Sequence, residues 1–463
     1  MPDRRPSLIR RLTLGLGAQA YSQATILFVR LAEVPLLLSL WGVQLYGEWL
    51  MLAAIPAWLA AGDGGFADAT ARQMTIRAGA GDRAGALTLF RSTFLLLLAV
   101  SAGLVVLAFA GAPLLPLDRW FGFTVMSGPV AATVVGLLIL HVVAGFQSSL
   151  LYGGFMAEGR YGQGIALMTT IQLLEFGGLA IAVLAGGGPV AAAGGWLAGR
   201  LAGLVMMRLV LRRTAPWLRY GLAGATWAEV RALTAPAFAS LAFPLGNAFN
   251  TQALRLVVGA LLGPAAVAVF VPIRILTRLA MQPRAVLGSL MQAEMAMAHG
   301  AADYDLFRRL FRRSSQFSLW GGLAVAVAIA LTARPVLDLW TGGAIILDWP
   351  LTAALLLAAV LNSLWYAALM VAYATNRHGP VAIVYLLVYG LGATLLAWLA
   401  VGATGLAGAG WALLAAEAIM LMWVLPVTWR MSDERPLAWL RQVLTPPWIV
   451  LAWAGKAFTR RRP

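Results

Sequence analysis

Long apolar runs recur along this chain, separated by short connections rich in arginine. A helix needs about 20 mainly apolar residues to cross the hydrocarbon core of a bilayer. Twelve runs meet that length and predict twelve spans: Leu14 to Leu40, Gly47 to Ala69, Ser92 to Gly111, Gly128 to Leu151, Ile165 to Ala185, Pro189 to Leu211, Pro236 to Leu262, Ala265 to Leu290, Ser314 to Ala333, Pro350 to Ala374, Pro380 to Val401 and Leu406 to Trp429. The stretch from Pro436 to Phe458 is also apolar, but Pro446 and Pro447 break it and Arg441 interrupts it. It is expected to lie in the interface, with Trp439, Trp448 and Trp453 at headgroup level.

The connections alternate in charge. One side holds the N-terminal arginines, then Arg72, Arg77, Arg83 and Arg91, then Arg160, then Arg212, Arg213 and Arg219. It continues with Arg308, Arg309, Arg312 and Arg313, then Arg377 and the C-terminal tail. The other side holds Arg119 and Arg334 with Asp118, Asp338 and Asp348. Arginine excess marks the cytoplasmic face, so both termini are expected inside. The first apolar run continues for about 27 residues, beyond the 7–15 of a signal h-region, and is read as a retained span. The expected organisation is a cytoplasmic N-terminus (1–13), a first six-helix bundle (14–213), a cytoplasmic linker (214–235), a second six-helix bundle (236–430) and an interfacial or cytoplasmic tail (431–463).

Composition agrees with a membrane protein. The chain is 61% hydrophobic and 11% charged, whereas a soluble domain carries about 25% charged residues. The net charge of +16 is almost all arginine, Lys456 being the one lysine. These charges sit at helix ends, and no nucleic-acid motif accompanies them. The absence of cysteine excludes disulfides, iron–sulfur clusters and thiol catalysis. His141, His299 and His378 are far apart, and no two-histidine metal spacing, phosphate-binding glycine loop or Gly-x-Ser-x-Gly occurs. No metal, no cofactor and no enzyme activity are expected.

The two halves resemble each other at an offset of 221 residues. Leu40–Trp41–Gly42 meets Leu261–Leu262–Gly263, Gly79–Ala80–Gly81–Asp82 meets Gly300–Ala301–Ala302–Asp303, and Leu89–Phe90–Arg91 meets Leu310–Phe311–Arg312. Six helices per half make the repeats parallel, which places a substrate site near the midplane between them.

Five arginines, Arg30, Arg200, Arg255, Arg274 and Arg278, fall deep inside expected spans. Each costs roughly 2.5–3.5 kcal/mol on insertion scales, so they need water, counter-ions or a ligand. Arg30 and Glu33 are three apart and can pair across one turn. Glu175, Arg200 and Glu417 are isolated in sequence and are open to pairing with one another across helices. Arg274 and Arg278 share a helix face, with no acid nearby in their own helix. With Arg255 and Gln252 on the preceding helix, they are the strongest candidates for binding a phosphate-bearing substrate, with Arg30 and Arg200 as further candidates, because the planar guanidinium bonds two phosphate oxygens and stays charged. Glu33, Glu175, Glu417, Asp63 and Asp68 are candidates for coupling or gating, and His141 reads as a packed, hydrogen-bonded histidine.

The stretch Leu40-Trp-Gly-x-x-x-Tyr-Gly-x-Trp49, then Asp63-Gly-Gly-Phe-Ala-Asp-Ala69, Arg72, Gly-Asp82 and Leu89-Phe-Arg91 resembles the polysaccharide-transport (O-antigen flippase) family. That family belongs to the multidrug/oligosaccharidyl-lipid/polysaccharide (MOP) exporter superfamily. So do Phe270-x-x-x-Arg274-x-x-x-Arg278 after Leu-Gly263-Pro, and the loops Ala157-Glu-Gly-Arg160 and Ala374-Thr-Asn-Arg377, resemble it. The resemblance implies an all-α, MATE-like protein of two six-helix bundles around a V-shaped cavity in the bacterial inner membrane. It also implies flipping of an undecaprenyl-diphosphate-linked oligosaccharide for surface polysaccharide, possible partners being a polysaccharide polymerase or glycosyltransferases. Where many members carry an acid early in the seventh span, this chain has Thr251 and Gln252, which puts cation coupling there in doubt. The alternatives are a cation-coupled multidrug exporter of the same superfamily and a non-transporting scaffold of a polysaccharide-assembly complex.

Overall fold

The computed structural model describes residues 8–60, 65–111, 114–375 and 377–447, and all regular secondary structure among them is helical. Internal packing divides the chain into two compact units, Met1–Leu245 with Gly263–Ala268, and Gly246–Leu262 with Val269–Pro463. The first unit contains α1 (Leu8–Leu52), α2 (Ile55–Ala60), α3 (Phe66–Gly79), α4 (Arg83–Val106), α5 (Leu117–Trp120), α6 (Gly128–Ala157), α7 (Tyr161–Leu184), α8 (Pro189–Thr214) and most of α9 (Trp227–Ala248). The second contains α10 (Leu254–Leu262), most of α11 (Pro264–Thr277), α12 (Gln282–Gly300), α13 (Tyr304–Thr341), α14 (Trp349–Ala374), α15 (Gly379–Val384), α16 (Ala393–Thr404), α17 (Leu406–Ser432) and α18 (Pro436–Leu444).

Among the described residues, ten helical stretches are long and apolar enough to cross a membrane. The first two expected spans fall in one stretch, Gly17–Ala60, because the chain passes through Gly42 at φ 71° and ψ 175°, a bend that glycine makes without strain. Past it, Gly65 at φ 75° opens the separate helix α3, which carries Asp68, Arg72 and Arg77. The expected seventh span, Pro236–Leu262, is interrupted by a π-helical turn, Phe249–Ala253, and is not one of the ten.

The 221-residue offset recurs in the backbone. Gly42 and Gly263 both have positive φ, 71° and 86°, and so do Gly81 and Ala302, 87° and 55°. Asp82 caps α4 by accepting from the Gly85 amide at 2.8 Å, and Asp303 caps α13 by accepting from the Leu306 amide at 2.9 Å. Arg91 and Arg312 each hold the chain beyond a long helix. Arg91 donates to the carbonyls of Arg219 and Ala223 after α8. Arg312 donates both prongs to Glu434 after α17, at 2.7 and 2.9 Å.

Small residues set how closely helices approach inside each unit. A Cβ on Gly178 of α7 would lie 2.1 Å from the carbonyl oxygen of Gly195 on α8, and one on Gly199 would lie 2.2 Å from that of Leu174. Backbones meet this closely only where side chains are missing. The contact brings Glu175 and Arg200, the neighbours of these glycines, within reach of each other.

Trp439 and Glu48 are both buried, which the sequence did not show. Trp439 on α18 was expected at headgroup level; it is buried against Trp429 and Phe311, with centroids 5.5 and 5.9 Å away. The segment is also tied to α13, whose Gln316 and Trp320 donate to the carbonyls of Thr445 and Val443 at 2.6 and 3.0 Å. Trp448 and Trp453 lie outside the described residues. Glu48, which drew no attention in the sequence, is fully buried and accepts from the backbone amides of Thr124, Val125 and Met126 at 2.7, 2.9 and 2.7 Å. Glu48→Ala leaves those amides unpaired and is expected to cost about 1–3 kcal/mol, read as a lower unfolding midpoint in detergent; an unchanged midpoint would show that the loop is held by other means.

Candidate functional site

In the second unit, helices α11 and α12 are joined by a 3-10 turn, Arg278–Met281, so one nearly continuous segment carries Arg274, Arg278 and Arg284. Arg274 is 8% exposed and donates to Asn250 Oδ1. Asn250 in turn donates to the Tyr389 carbonyl at 3.3 Å. Both partners lie in π-helical stretches, Phe249–Ala253 and Tyr385–Gly392. The wider π turn displaces backbone groups from the regular ladder and often occurs at functional sites. Here the Tyr389 carbonyl accepts from a side chain.

Aromatic faces surround the charges. The Arg274 guanidinium lies 5.5 Å from the Phe270 centroid, and that of Arg284 lies 3.9 Å from Tyr366. Tyr385 and Tyr389 stack at 4.7 Å, with Trp365 6.0 Å from each. Glu417, 1% exposed, is held by neutral donors: Asn362 Nδ2 at 3.0 and 3.1 Å and Trp365 Nε1 at 2.6 Å. A cavity of about 20 Å³ bounded by Arg274, Arg278, Tyr389 and Glu417 has room for about one water.

Three guanidiniums therefore share one region with one carboxylate, whose oxygens are already occupied. Arg274 Nη1 and Arg284 Nε have no hydrogen-bond partner among the described residues. An unpaired buried donor of this kind is costly. A charge-assisted bond to an anion is among the strongest ways to satisfy such a donor.

The first unit treats its charges differently. Glu175, 5% exposed, pairs with Arg200 Nε and lies 2.7 Å from His141 Nε2. The His141 ring rests 4.9 Å from Trp196. These three side chains bond one another within α6, α7 and α8. Asp68 bonds Arg72 at 2.9 Å on the exposed face of α3. Asp68 also borders a cavity of about 380 Å³ with Gln19, Ser149, Tyr152, Tyr161 and Gln172. Arg30 is exposed on α1 and Glu33 is half-buried; both have interaction partners. Asp63 lies outside the described residues.

The structure thus brings Arg274, Arg278 and Glu417 together, with Gln252 and Arg255 on the adjoining π turn and α10, both half-buried. Arg30, Glu33, Asp68, Glu175 and Arg200 belong to the first unit. Of the three isolated charges, Glu175 and Arg200 pair in the first unit, and Glu417 lies on α17 of the second. Sequence reasoning missed Asn250, Asn362, Trp365, Tyr389 and Arg284. Arg284 stood in the same apolar run as Arg274 and Arg278 and carried the same signal.

No protein-family model matches the sequence, and no curated protein matches it. Solved structures match in fold. An inward-facing multidrug resistance MATE family transporter of the MOP superfamily aligns with TM-score 0.71 and 18% identity, covering 88% of this chain and 99% of that one. An outward-facing transporter of the same family aligns with TM-score 0.66 and 16% identity, covering 93% and 97%. The lipid II flippase MurJ, in an inward closed conformation, aligns with TM-score 0.72 and 12% identity, covering 96% and 99%. The chain is a multi-pass, all-helical membrane protein whose fold is similar to that of MOP-superfamily transporters.

Proposed function

We propose that this protein is a flippase that moves an undecaprenyl-diphosphate-linked oligosaccharide across the bacterial inner membrane for surface polysaccharide synthesis, by alternating access. The observation that carries the reading is the cationic surplus of the second unit: among the described residues, Arg274, Arg278 and Arg284 lie near the one carboxylate of Glu417, with guanidinium donors left unpaired. A diphosphate bridge is a dianion with several acceptor oxygens and matches those donors. Release after transport requires that the attraction stay moderate, as it would where opening of the site admits water and raises the effective dielectric. The similar fold of a protein named as a lipid II flippase supports a lipid-linked cargo. In this reading twelve spans form two six-helix bundles, near residues 14–213 and 236–430, with both termini cytoplasmic.

A second reading, a cation-coupled multidrug exporter, draws on the MATE neighbours and on the buried acids Glu175 and Glu417. Proteoliposomes holding the full chain and a fluorescent polyprenyl-diphosphate oligosaccharide separate the two. Faster exposure of the label to a membrane-impermeant quencher than in protein-free vesicles is expected. An unchanged rate, together with drug sensitivity in a strain lacking the protein, would favour the exporter.

A further inference from the structure

At the arginine-rich end of the first unit lies a second cavity, of about 450 Å³, bordered by α8 and by the loop after it. Arg208, Arg212 and Arg219 line it, beside Tyr220. None of the three makes an ion pair among the described residues. Arg208 lies 4.8 Å over the Tyr220 ring, and Arg219 donates to the Pro216 carbonyl at 3.3 Å. Glu158, at the end of α6, is engaged by Trp217 Nε1 of this loop.

The loop is pinned before any ligand arrives. Arg91 donates to the carbonyls of Arg219 and Ala223 at 3.3 and 2.8 Å, and the Thr226 amide donates to Ser92 Oγ at 2.9 Å. Tyr220 is wedged edge-on against Phe90 and Phe94, at 5.3 and 4.8 Å. The cavity is therefore held open by fixed groups and presents cations with no internal counter-charge.

An apolar stripe leads to it. At 100° per residue, Leu201, Val205 and Leu209 share one face of α8 with Arg208 and Arg212, and all five are exposed. Hydrocarbon along a helix that ends in guanidiniums is the outline of a phospholipid, acyl chains against the stripe and headgroup on the arginines. Basic pockets between helices at the arginine-rich face bind anionic headgroups in this way.

We infer that the cavity lined by Arg208, Arg212 and Arg219 is a binding site for an anionic phospholipid, its phosphate seated on the arginines and its chains on Leu201, Val205 and Leu209. The site lies wholly in the first unit and does not depend on the proposed cargo. It is tested by native mass spectrometry of the full chain in detergent with equimolar phosphatidylglycerol and phosphatidylcholine. The wild type should retain phosphatidylglycerol, and Arg208→Gln/Arg212→Gln/Arg219→Gln should lose that preference by about a hundredfold. Arg212→Gln alone, which removes no bond within the protein, should lose about fivefold without affecting folding. Equal retention of phosphatidylglycerol by wild type and Arg212→Gln would overturn the site. Displacement by inorganic phosphate at the same concentration would overturn the lipid assignment in favour of a free-phosphate site.

Discussion

Arg274→Glu is expected to lower flipping of a diphosphate-linked substrate by about a hundredfold or more. Bonds to charged groups are worth about 1.5–3 kcal/mol each, and a guanidinium that grips phosphate with two prongs supplies two of them. Each 1.4 kcal/mol is about tenfold, so losing both prongs already exceeds a hundredfold before repulsion by the new carboxylate is added. Arg274→Lys keeps the charge and loses the fork, and about a tenfold loss is expected. Arg274 is buried and bonded to Asn250, so the reversal also burdens folding. Arg278→Glu removes that ambiguity, because Arg278 is half-buried at the cavity edge. The measurement is quencher-accessible label in proteoliposomes, with elution as a single symmetric peak as the folding control. Wild-type flipping by both well-folded reversals would remove these arginines from the mechanism.

The second large effect is on stability. Glu175→Ala leaves Arg200 inside α6–α8 with no carboxylate, and only His141 near its Nε. Breaking a buried pair on one side costs about 3–5 kcal/mol, because the remaining charge is uncompensated. Removing both charges behaves differently. Glu175→Leu with Arg200→Met should return stability to near the wild type, since the desolvation cost of the pair disappears with its attraction. Unfolding midpoints in detergent decide the matter. A double variant less stable than Glu175→Ala would mean that the triad holds more than its own charges. A stable double variant that no longer flips would instead assign Glu175 to coupling.

The sequence carried most of the architecture and little of the site. Apolar runs and the arginine bias marked a multi-pass membrane protein, since a bilayer constrains length and polarity position by position. The matching features at the 221-residue offset were legible because they are local: a residue that accepts positive φ at Gly42 and Gly263, and an aspartate one residue after the left-handed position at Asp82 and Asp303. The break of the seventh span at Phe249–Ala253 was not legible, because a π turn adds one residue to a helical turn without a proline or glycine to announce it. Trp439 read as interfacial because its burial depends on α13, more than a hundred residues earlier.

The buried arginines divide along the same line. Sequence alone determined that they exist, that arginine exceeds acid at membrane depth, and that Arg274 and Arg278 share a helix face, because these follow from residue type and helical period. It did not determine their partners. Glu175 reaches Arg200 because Gly178, Gly195 and Gly199 let two helices close to backbone contact. Glu417 on α17 joins Arg274 and Arg278 of the α11 segment, yet spends its oxygens on Asn362 and Trp365. Whether a buried charge is neutralised or left to a ligand depends on which groups lie within a few ångströms, and in this chain those groups come from distant segments, so only the tertiary structure decided it.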